Sequence, residues 1–411
     1  MLWRIAWRNL WRNPRRTGLT AASSAFAVLL ILFQVAVASG SHERWIETAV
    51  KLYPGHLEVS LQGYRDQQTL DYGMVLEPDH VADLDQLPDV AGWAPRLEAM
   101  GLGTPDRDDA LGRAIWLIGH DPGREYRVSR LGGAITEGRN VEPGANYELV
   151  LGTVLARSLD VAVGDQVVVW SSDYYGSQSA DRFAVVGLLS VGDPHFDGYA
   201  ALISLSGLQE FVAFPGGLSH VAVFANSSEQ VEGLEARLAA HFPSDTYEVA
   251  AWPELLPEMV QMIALDKIGN YLILAILVVV VAFGVLHTIL MSVLERTREF
   301  GVLRAVGTKP GTVFWLVLIA SLLICALGVT VGLLIGIPVV EYFERHPIPI
   351  QGEAALQAIE LFGVEPVVMF RLNFWMALQA ALAMLGVAML AALAPAWGAA
   401  RGRPVDALRE V

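Results

Sequence analysis

The side chains that most often carry chemistry are thinly spread in this sequence. Asp193, His195 and Asp197 alternate in GDPHFDG, so they could share one face of an extended strand as metal ligands. No second cluster of zinc-site spacing accompanies them, and a polar loop is the simpler interpretation. The other histidines of the middle of the chain are scattered without HxxxH or HExxH spacing: His42, His56, His80, His120, His220 and His241. With no GxSxG motif either, the sequence predicts no catalytic residue, no metal site and no enzyme.

Composition excludes further classes. A single cysteine, Cys325, rules out an intramolecular disulfide and a CxxC site. The formal net charge of -15 argues against nucleic acid, since phosphate binding needs a basic face. No GxxxxGK[ST] phosphate loop occurs, so we expect any ATP hydrolysis to reside in another polypeptide.

Four apolar runs dominate the chain and explain why 54% of it is hydrophobic and only 17% charged. They cover residues 18–39, 271–293, 313–340 and 374–397, and none contains Asp, Glu, Lys or Arg. A helix of about 20 apolar residues crosses a bilayer, so we predict four transmembrane helices. The third run is long enough to tilt or to break near Gly336 and Pro338. Small residues recur in the fourth, which suits close helix contacts.

Charge distribution predicts the orientation. Residues 40–265 hold 13 basic and 33 acidic residues, and the loop 341–373 is also acidic. Basic residues outnumber acidic ones before the first run, between the second and third runs, and in the tail. The tail contains three arginines, Arg401, Arg403 and Arg409, and two acidic residues, Asp406 and Glu410. The positive-inside rule therefore places both termini in the cytoplasm and residues 40–265 outside.

The first 16 residues predict an amphipathic helix lying in the membrane interface. Trp3, Trp7 and Trp11 fall on one broad arc, and a neighbouring arc carries the arginines Arg4, Arg8 and Arg12. Pro14 ends this helix before the spanning one. The alternative is a cleaved signal peptide, because Ala36, Val37 and Ala38 resemble a peptidase site, but an ordered aromatic helix fits an n-region poorly.

Residues 40–265 predict a soluble, mixed α+β domain, or two lobes. Seven short apolar runs bounded by Gly, Asp, Pro or Ser have the character of strands: HLEVSL, AIWLIG, YELVLG, QVVVWS, FAVVGLLS, YAALISL and HVAVFA. Residues 229–242 predict a helix with Val231, Leu234, Leu238 and Phe242 on one face.

The segment between the second and third runs, residues 294–312, combines charges of both signs on a predicted helix that continues from the membrane to Gly307, with Pro310 beyond. We name it the coupling segment. Alone it could be a solvated connector or a docking surface, because mixed charge on a helix is usually a solvated face.

Three strings, SVLERTREFGVLRAVGTKPGTV, WRNLWRNPRRT and PAWGAARGRPVDALRE, resemble the FtsX-like permease family, which includes MacB, LolC/LolE and FtsX. LGTVLARSLDVAVGDQVVV and FAVVGLLSVGDPHFD resemble the extracytoplasmic core domain of its MacB and LolC/LolE branch. The resemblance implies an α-helical membrane protein with four transmembrane helices and a large extracytoplasmic α+β domain of the MacB-like periplasmic core type.

The resemblance further implies a non-catalytic permease subunit of a mechanotransmission-type ABC transporter in the inner membrane. Its partners would be a cytoplasmic ABC ATPase that holds ATP and Mg, a second permease copy or paralogue, membrane lipids, and a periplasmic carrier or lipoprotein. By match to the family, the ATPase-coupling residues are Glu295, Arg296, Arg298, Glu299, Phe300, Gly301, Arg304 and Gly307. Residues 397–411 would add a weaker cytoplasmic contact.

The expected organisation is therefore an interfacial helix (1–16), a first span (18–39), the outside domain (40–265), a second span (271–293), the coupling segment (294–312), a third span (313–340), an outside loop (341–373), a fourth span (374–397) and a cytoplasmic tail (398–411). The expected substrate is a lipoprotein, lipid or hydrophobic peptide. Two alternatives remain open: a transmembrane regulator that activates an extracytoplasmic enzyme, and a membrane-anchored ligand sensor, which the coupling segment disfavours.

Overall fold

A computed structural model describes residues 2–12, 14–107, 111–352 and 367–401. Its helices are α1 (Leu2–Leu10), α2 (Pro14–Leu52), α3 (Tyr64–Gln67), α4 (Pro78–Gln86), α5 (Pro122–Val128), α6 (Thr153–Leu159), α7 (Pro194–Tyr199), α8 (Leu205–Phe211), α9 (Val231–His241), α10 (Trp252–Leu255), α11 (Pro257–Glu295), α12 (Thr297–Ala305), α13 (Pro310–Arg345) and α14 (Phe374–Arg401). Its strands are β1 (Leu57–Leu61), β2 (Met74–Val75), β3 (Val90–Pro105), β4 (Arg113–His120), β5 (Ile135–Gly138), β6 (Glu148–Gly152), β7 (Gln166–Ser172), β8 (Gln178–Leu189), β9 (Ala200–Ser204), β10 (Gly217–Leu218), β11 (His220–Ala225), β12 (Tyr247–Ala251), β13 (Ile348–Pro349) and β14 (Val367–Val368).

The chain divides into two compact units. The helical unit comprises the described residues of Met1–His42, Met262–Pro349 and Val367–Val411. The sheet unit comprises the described residues of Glu43–Gln261 and Ile350–Pro366. Helices α2 and α11 each contribute residues to both units.

The helical unit contains the long apolar helices. Among the described residues, four helices are long and apolar enough to cross a membrane: Thr17–Leu52, Pro257–Glu295, Pro310–Arg345 and Phe374–Arg401. Each contains one of the four predicted apolar runs. Helix α13 runs unbroken through Pro338, so the break considered there does not form.

Small residues bring these helices close together. A Cβ on Gly328 would lie 2.6 Å from the Ala21 carbonyl oxygen, and one on Gly332 would lie 2.8 Å from that of Ala25, so α13 packs directly on the backbone of α2. Helix α14 buries mainly alanines, which confirms the close contact expected of the fourth run: Ala377, Ala380, Ala381, Ala388, Ala392 and Ala396.

A mixed ten-stranded sheet forms the sheet unit. Its strand order is β12-β1-β11-β3-β4-β9-β6-β8-β5, and β7 pairs with both β3 and β8. The β4–β9 and β6–β8 pairs are parallel, whereas the other pairs of this sheet are antiparallel. All seven predicted strands are confirmed, as β1, β4, β6, β7, β8, β9 and β11. The predicted helix is confirmed as α9, which buries Val231, Leu234 and Leu238.

Candidate functional site

The coupling segment departs from its prediction at one residue. The predicted continuous helix from the membrane to Gly307 is wrong, because α11 ends at Glu295 and α12 begins at Thr297. Arg296, between them, has φ -106° and ψ 10°, which is outside the helical range. Gly307 ends the helical segment with a φ of +97°, which favours glycine. Helix α12 of the coupling segment is thus a separate short helix.

Two arginines meet on one carboxylate of α12. The Nη1 of Arg12 donates to Oε1 of Glu299 across 3.0 Å, and the Nε of Arg296 donates to Oε2 across 3.0 Å. The Arg296 guanidinium also lies 5.2 Å from the centre of the Phe300 ring. The segment that follows α1 and the junction before α12 are therefore tied to the same side chain.

An aromatic anchor holds α12 to the apolar core of the helical unit. Phe300 is 4% exposed and belongs to the apolar core of the helical unit, and Gly301 beside it is also buried. One turn later, Nη1 of Arg304 donates to the backbone carbonyl of Ala400, near the end of α14, across 2.9 Å. Ala400 lies within the predicted tail contact, of which residues 402–411 are outside the described residues.

The opposite side of α12 is exposed and includes apolar residues that the sequence reasoning did not single out. Val302 is 47% exposed, Leu303 40% and Val306 82%, and Arg298 is also exposed. Glu295, at the end of α11, is exposed as well. Valine and leucine within a charged segment beyond an apolar run were the available signal in the sequence, since a solvated connector does not need them.

A groove of about 570 Å³ lies between α11, α12 and α14. Its lining is mostly apolar: Leu286, Leu290, Val293, Leu294, Thr297, Phe300, Gly301, Arg304, Ala394, Pro395, Gly398 and Ala399. Phe300 therefore forms part of both the buried anchor and the groove wall.

The N-terminal helix places its aromatic residues at the surface. Trp3 is 57% exposed, Trp7 47% and Trp11, just after α1, 58%. The arginines Arg4, Arg8 and Arg12 are exposed too. An exposed aromatic and cationic surface of this kind suits a membrane interface.

The candidate metal triplet has structural partners instead. The three residues do not lie on a strand, because α7 starts at Pro194 and Asp193 caps it by accepting from the backbone N–H groups of His195 and Phe196. Asp197 is buried and accepts from Ser190 Oγ across 2.6 Å. The polar-loop interpretation is therefore corrected to a capped helix. No metal-ligating cluster occurs among the residues that the structure describes.

A buried polar network in the sheet unit was not predicted. Arg96 and Glu125 are both fully buried and form an ion pair, and Arg96 also donates to the backbone carbonyl of Tyr53, directly after α2. The Tyr53 hydroxyl in turn donates to Glu98. Burial would raise the pKa of Glu125, but the adjacent Arg96 guanidinium outweighs it and holds that pKa below its ordinary value.

The same network includes His220, which lies between two carboxylates. Its Nδ1 is 3.8 Å from Glu98 Oε1 and its Nε2 is 4.0 Å from Glu58 Oε2. Burial raises the pKa of the Glu58 carboxyl, although His220 acts in the opposite sense. The register explains the grouping, because His220 pairs with Arg96 on one neighbour strand and with Ser60 on the other.

Comparisons with known proteins match both units. The FtsX-like permease C-terminal model matches residues 271–404, and the MacB-like periplasmic core domain model matches residues 17–241. The lipoprotein-releasing system transmembrane protein LolC of Xylella fastidiosa is 25% identical over 398 residues, covering 94% of this chain and 91% of that protein. LolE of Haemophilus influenzae is 22% identical over 420 residues, covering 98% of each. The periplasmic region of MacB from Actinobacillus actinomycetemcomitans aligns with a TM-score of 0.36 at 13% identity, covering 50% of this chain and 92% of that structure.

Proposed function

The chain belongs to the FtsX-like permease family and carries a MacB-like periplasmic core domain, and from this premise we propose that it transmits ATP-driven motion of a partner ATPase to that domain. It is an ABC transporter permease of the LolC/LolE type, a membrane protein with a large periplasmic domain. The proposal adds the direction of the work: a push on α12 in the cytoplasm drives a shape change outside.

One observation carries the proposal. Helix α12 is fixed on one side by buried Phe300 and exposes Val302 and Leu303 on the other, where Val306 directly after the helix is exposed too. A short helix with one anchored side and one exposed apolar side can take up a partner's displacement as a rigid body. The break at Arg296 separates α12 from α11, so α12 is not obliged to continue the direction of that helix.

We propose an amphiphile as the substrate: a lipoprotein, a lipid or a hydrophobic peptide. LolC and LolE are named as transmembrane proteins of a lipoprotein-releasing system, which supports this substrate class for their relative. The spanning helices support it too, because they carry few polar side chains, and two of these, Gln34 and Asn270, hydrogen-bond to each other. A water-filled path for ions or sugars would need a polar lining.

The proposed topology follows the charge bias. Both termini and α12 would be cytoplasmic, and the second permease of the assembly would be a copy or a paralogue of this chain. The ATPase partner would bind ATP and Mg, and a periplasmic carrier or lipoprotein would meet the sheet unit.

Affinity purification of the full-length chain from its native membrane, followed by identification of the co-purifying ATPase, tests the proposal. Val306→Glu puts a charge on the exposed face of α12 and should reduce the recovered ATPase at least about tenfold, because a buried unpaired charge costs several kcal/mol. Val163→Glu, in an exposed turn of the sheet unit, is the matched control and should leave recovery unchanged. Full ATPase recovery with Val306→Glu would refute the proposal that the ATPase binds the exposed apolar side of α12.

A further inference from the structure

A chain of polar side chains joins α2 to α11. Gln34 Nε2 donates to Asn270 Oδ1 across 2.8 Å, and Asn270 Nδ2 donates to Asp266 Oδ2 across 2.6 Å. The same Asp266 oxygen accepts from His42 Nε2 across 2.7 Å. Two residues of each helix thus form a continuous series of hydrogen bonds, with the Asp266 carboxylate shared by His42 and Asn270.

The polar chain lies in a part of α11 that has few fully buried side chains. Helix α11 has 39 residues, yet only Ile263, Val285, Ile289 and Val293 are buried. Between Ile263 and Val285 no side chain is buried, and Asp266 and Asn270 fall within that stretch. Leu274, Leu277 and Val281 in that stretch pack against the apolar core of the helical unit but stay partly exposed, so the directed hydrogen bonds add a specific contact to an incomplete packing interface.

Their chain positions suggest what they do. His42 is the last residue of the helical unit on α2, and Asp266 lies four residues after the chain re-enters that unit at Met262. Both helices run past the roughly 30 Å hydrocarbon core, since 39 residues of helix measure about 58 Å. The polar chain thus lies close to the points where both long helices pass between the two units.

We infer that Gln34, His42, Asp266 and Asn270 form a clamp that makes the outer ends of α2 and α11 move as one body. Helix α11 leads directly to α12, and α2 continues into the sheet unit at Glu43. The clamp therefore lets a displacement that moves α11 act on the α2 connection to that unit as well. The four residues are positioning residues, and this role rests on the proposed function.

Distance measurement between spin labels tests the clamp itself. In the full chain with Cys325→Ala, labels at Ser39→Cys on α2 and Ile268→Cys on α11 should give one narrow distance distribution in lipid nanodiscs. Asp266→Leu removes the shared acceptor and should shift the distribution to longer, broader distances. Asp266→Asn retains an acceptor oxygen and should leave it unchanged, as should Lys267→Leu, the exposed neighbour. An unchanged distribution with Asp266→Leu would overturn the clamp.

Activity tests the functional consequence separately. In proteoliposomes with the co-purified ATPase, release of a fluorescent acylated lipopeptide should fall at least about tenfold with Asp266→Leu, while the ATPase rate and ATPase recovery stay within about twofold. Asp266→Asn should restore release. A parallel loss of ATPase recovery and release would mean a merely structural role and would overturn the clamp's part in transmission. If the unmodified chain moves no lipopeptide, the proposed function fails, while the label distances still decide the clamp.

If Asp266→Leu does not accumulate, a second variant combines Gln34→Leu with Asn270→Leu. It removes the hydrogen bond between Gln34 and Asn270 and the one from Asn270 to Asp266, and it leaves apolar side chains that lipid tolerates. It should broaden the same label distances and lower release with ATPase recovery retained. Label distances and release equal to those of the unmodified chain would overturn the clamp.

Discussion

Arg12 and Glu299 lie 287 positions apart in the sequence and form an ion pair of 3.0 Å between Nη1 and Oε1. The pair connects the segment after the N-terminal helix to α12. Because Arg296 binds the other oxygen of the same carboxylate, Glu299 holds two cations that come from different parts of the helical unit. The orientation of α12 is therefore linked to the position of the N-terminal helix.

Reversing the charge of Arg12 tests this link. Arg12→Glu places a carboxylate beside Glu299, and both side chains are substantially exposed, so the effect should be modest. Exposed pairs contribute ~0.2–1 kcal/mol, which corresponds to at most about a fivefold loss of ATPase recovery. Adding Glu299→Gln removes the repulsion and should restore recovery. Arg15→Glu makes the same charge change at another exposed position, and an equal loss there would contradict the specific link.

Phe300 should be needed for the stability of the helical unit. Phe300→Ala leaves a cavity beside α12 and should cost ~3–5 kcal/mol, lowering the melting temperature of the full chain in detergent. Val302→Ala, two residues later on the exposed side, should change stability by less than about 0.5 kcal/mol. Equal melting temperatures for the two variants would show that Phe300 does not anchor α12.

The buried pair of Arg96 and Glu125 should be asymmetric under substitution. Arg96→Met alone leaves the Glu125 carboxylate buried without its partner and should cost ~3–5 kcal/mol. Adding Glu125→Leu removes the stranded charge and should recover much of the loss. Recovery stays incomplete, since the Tyr53 carbonyl still lacks its donor. Denaturant titration followed by tryptophan fluorescence measures the free energy of unfolding of the unmodified chain, the single variant and the double variant. A double variant as unstable as the single one would contradict the argument.

Local sequence patterns predicted the apolar helices and seven strands because periodicity and bounding turn residues are local. The strand β3 was missed, since Pro95, Gly101 and Gly103 interrupt its apolar pattern. Gly101 is required by the close approach of a strand that is distant in sequence, because a Cβ on Gly101 would lie 2.7 Å from the Trp170 carbonyl oxygen on β7. Close approach of that kind depends on strand pairing, which no local window contains.

The candidate site divides in the same way. Family likeness singled out Glu299 and Phe300, whereas the partner of Glu299 on the N-terminal segment and the contact between His42 and Asp266 became visible only in three dimensions. Such contacts join side chains more than 200 positions apart, so residue spacing along the chain does not predict them.

Acid should destabilise the sheet unit through His120. This side chain is fully buried, its Nδ1 lies 3.1 Å from the Ile203 carbonyl oxygen, and its Nε2 has no hydrogen-bond partner among the residues that the structure describes. Burial lowers the pKa of His120 below its ordinary value of 6.5, although Glu125 acts in the opposite sense. The unfolded chain therefore takes up the proton first, and stability falls as the pH drops below 6.5.

Substitution of His120 isolates that contribution. The melting temperature of the full chain should fall between about pH 7.5 and about pH 5.5, where carboxylates with lowered pKa such as Glu125 are still ionised. Glu58 opposes the trend, since its raised pKa lets the folded state bind a proton more readily as acid is added. His120→Leu removes the titrating ring and should make the fall smaller, whereas His195→Asn, at an exposed position, should not. If the acid-induced fall is the same in His120→Leu as in the unmodified chain, His120 is not its source.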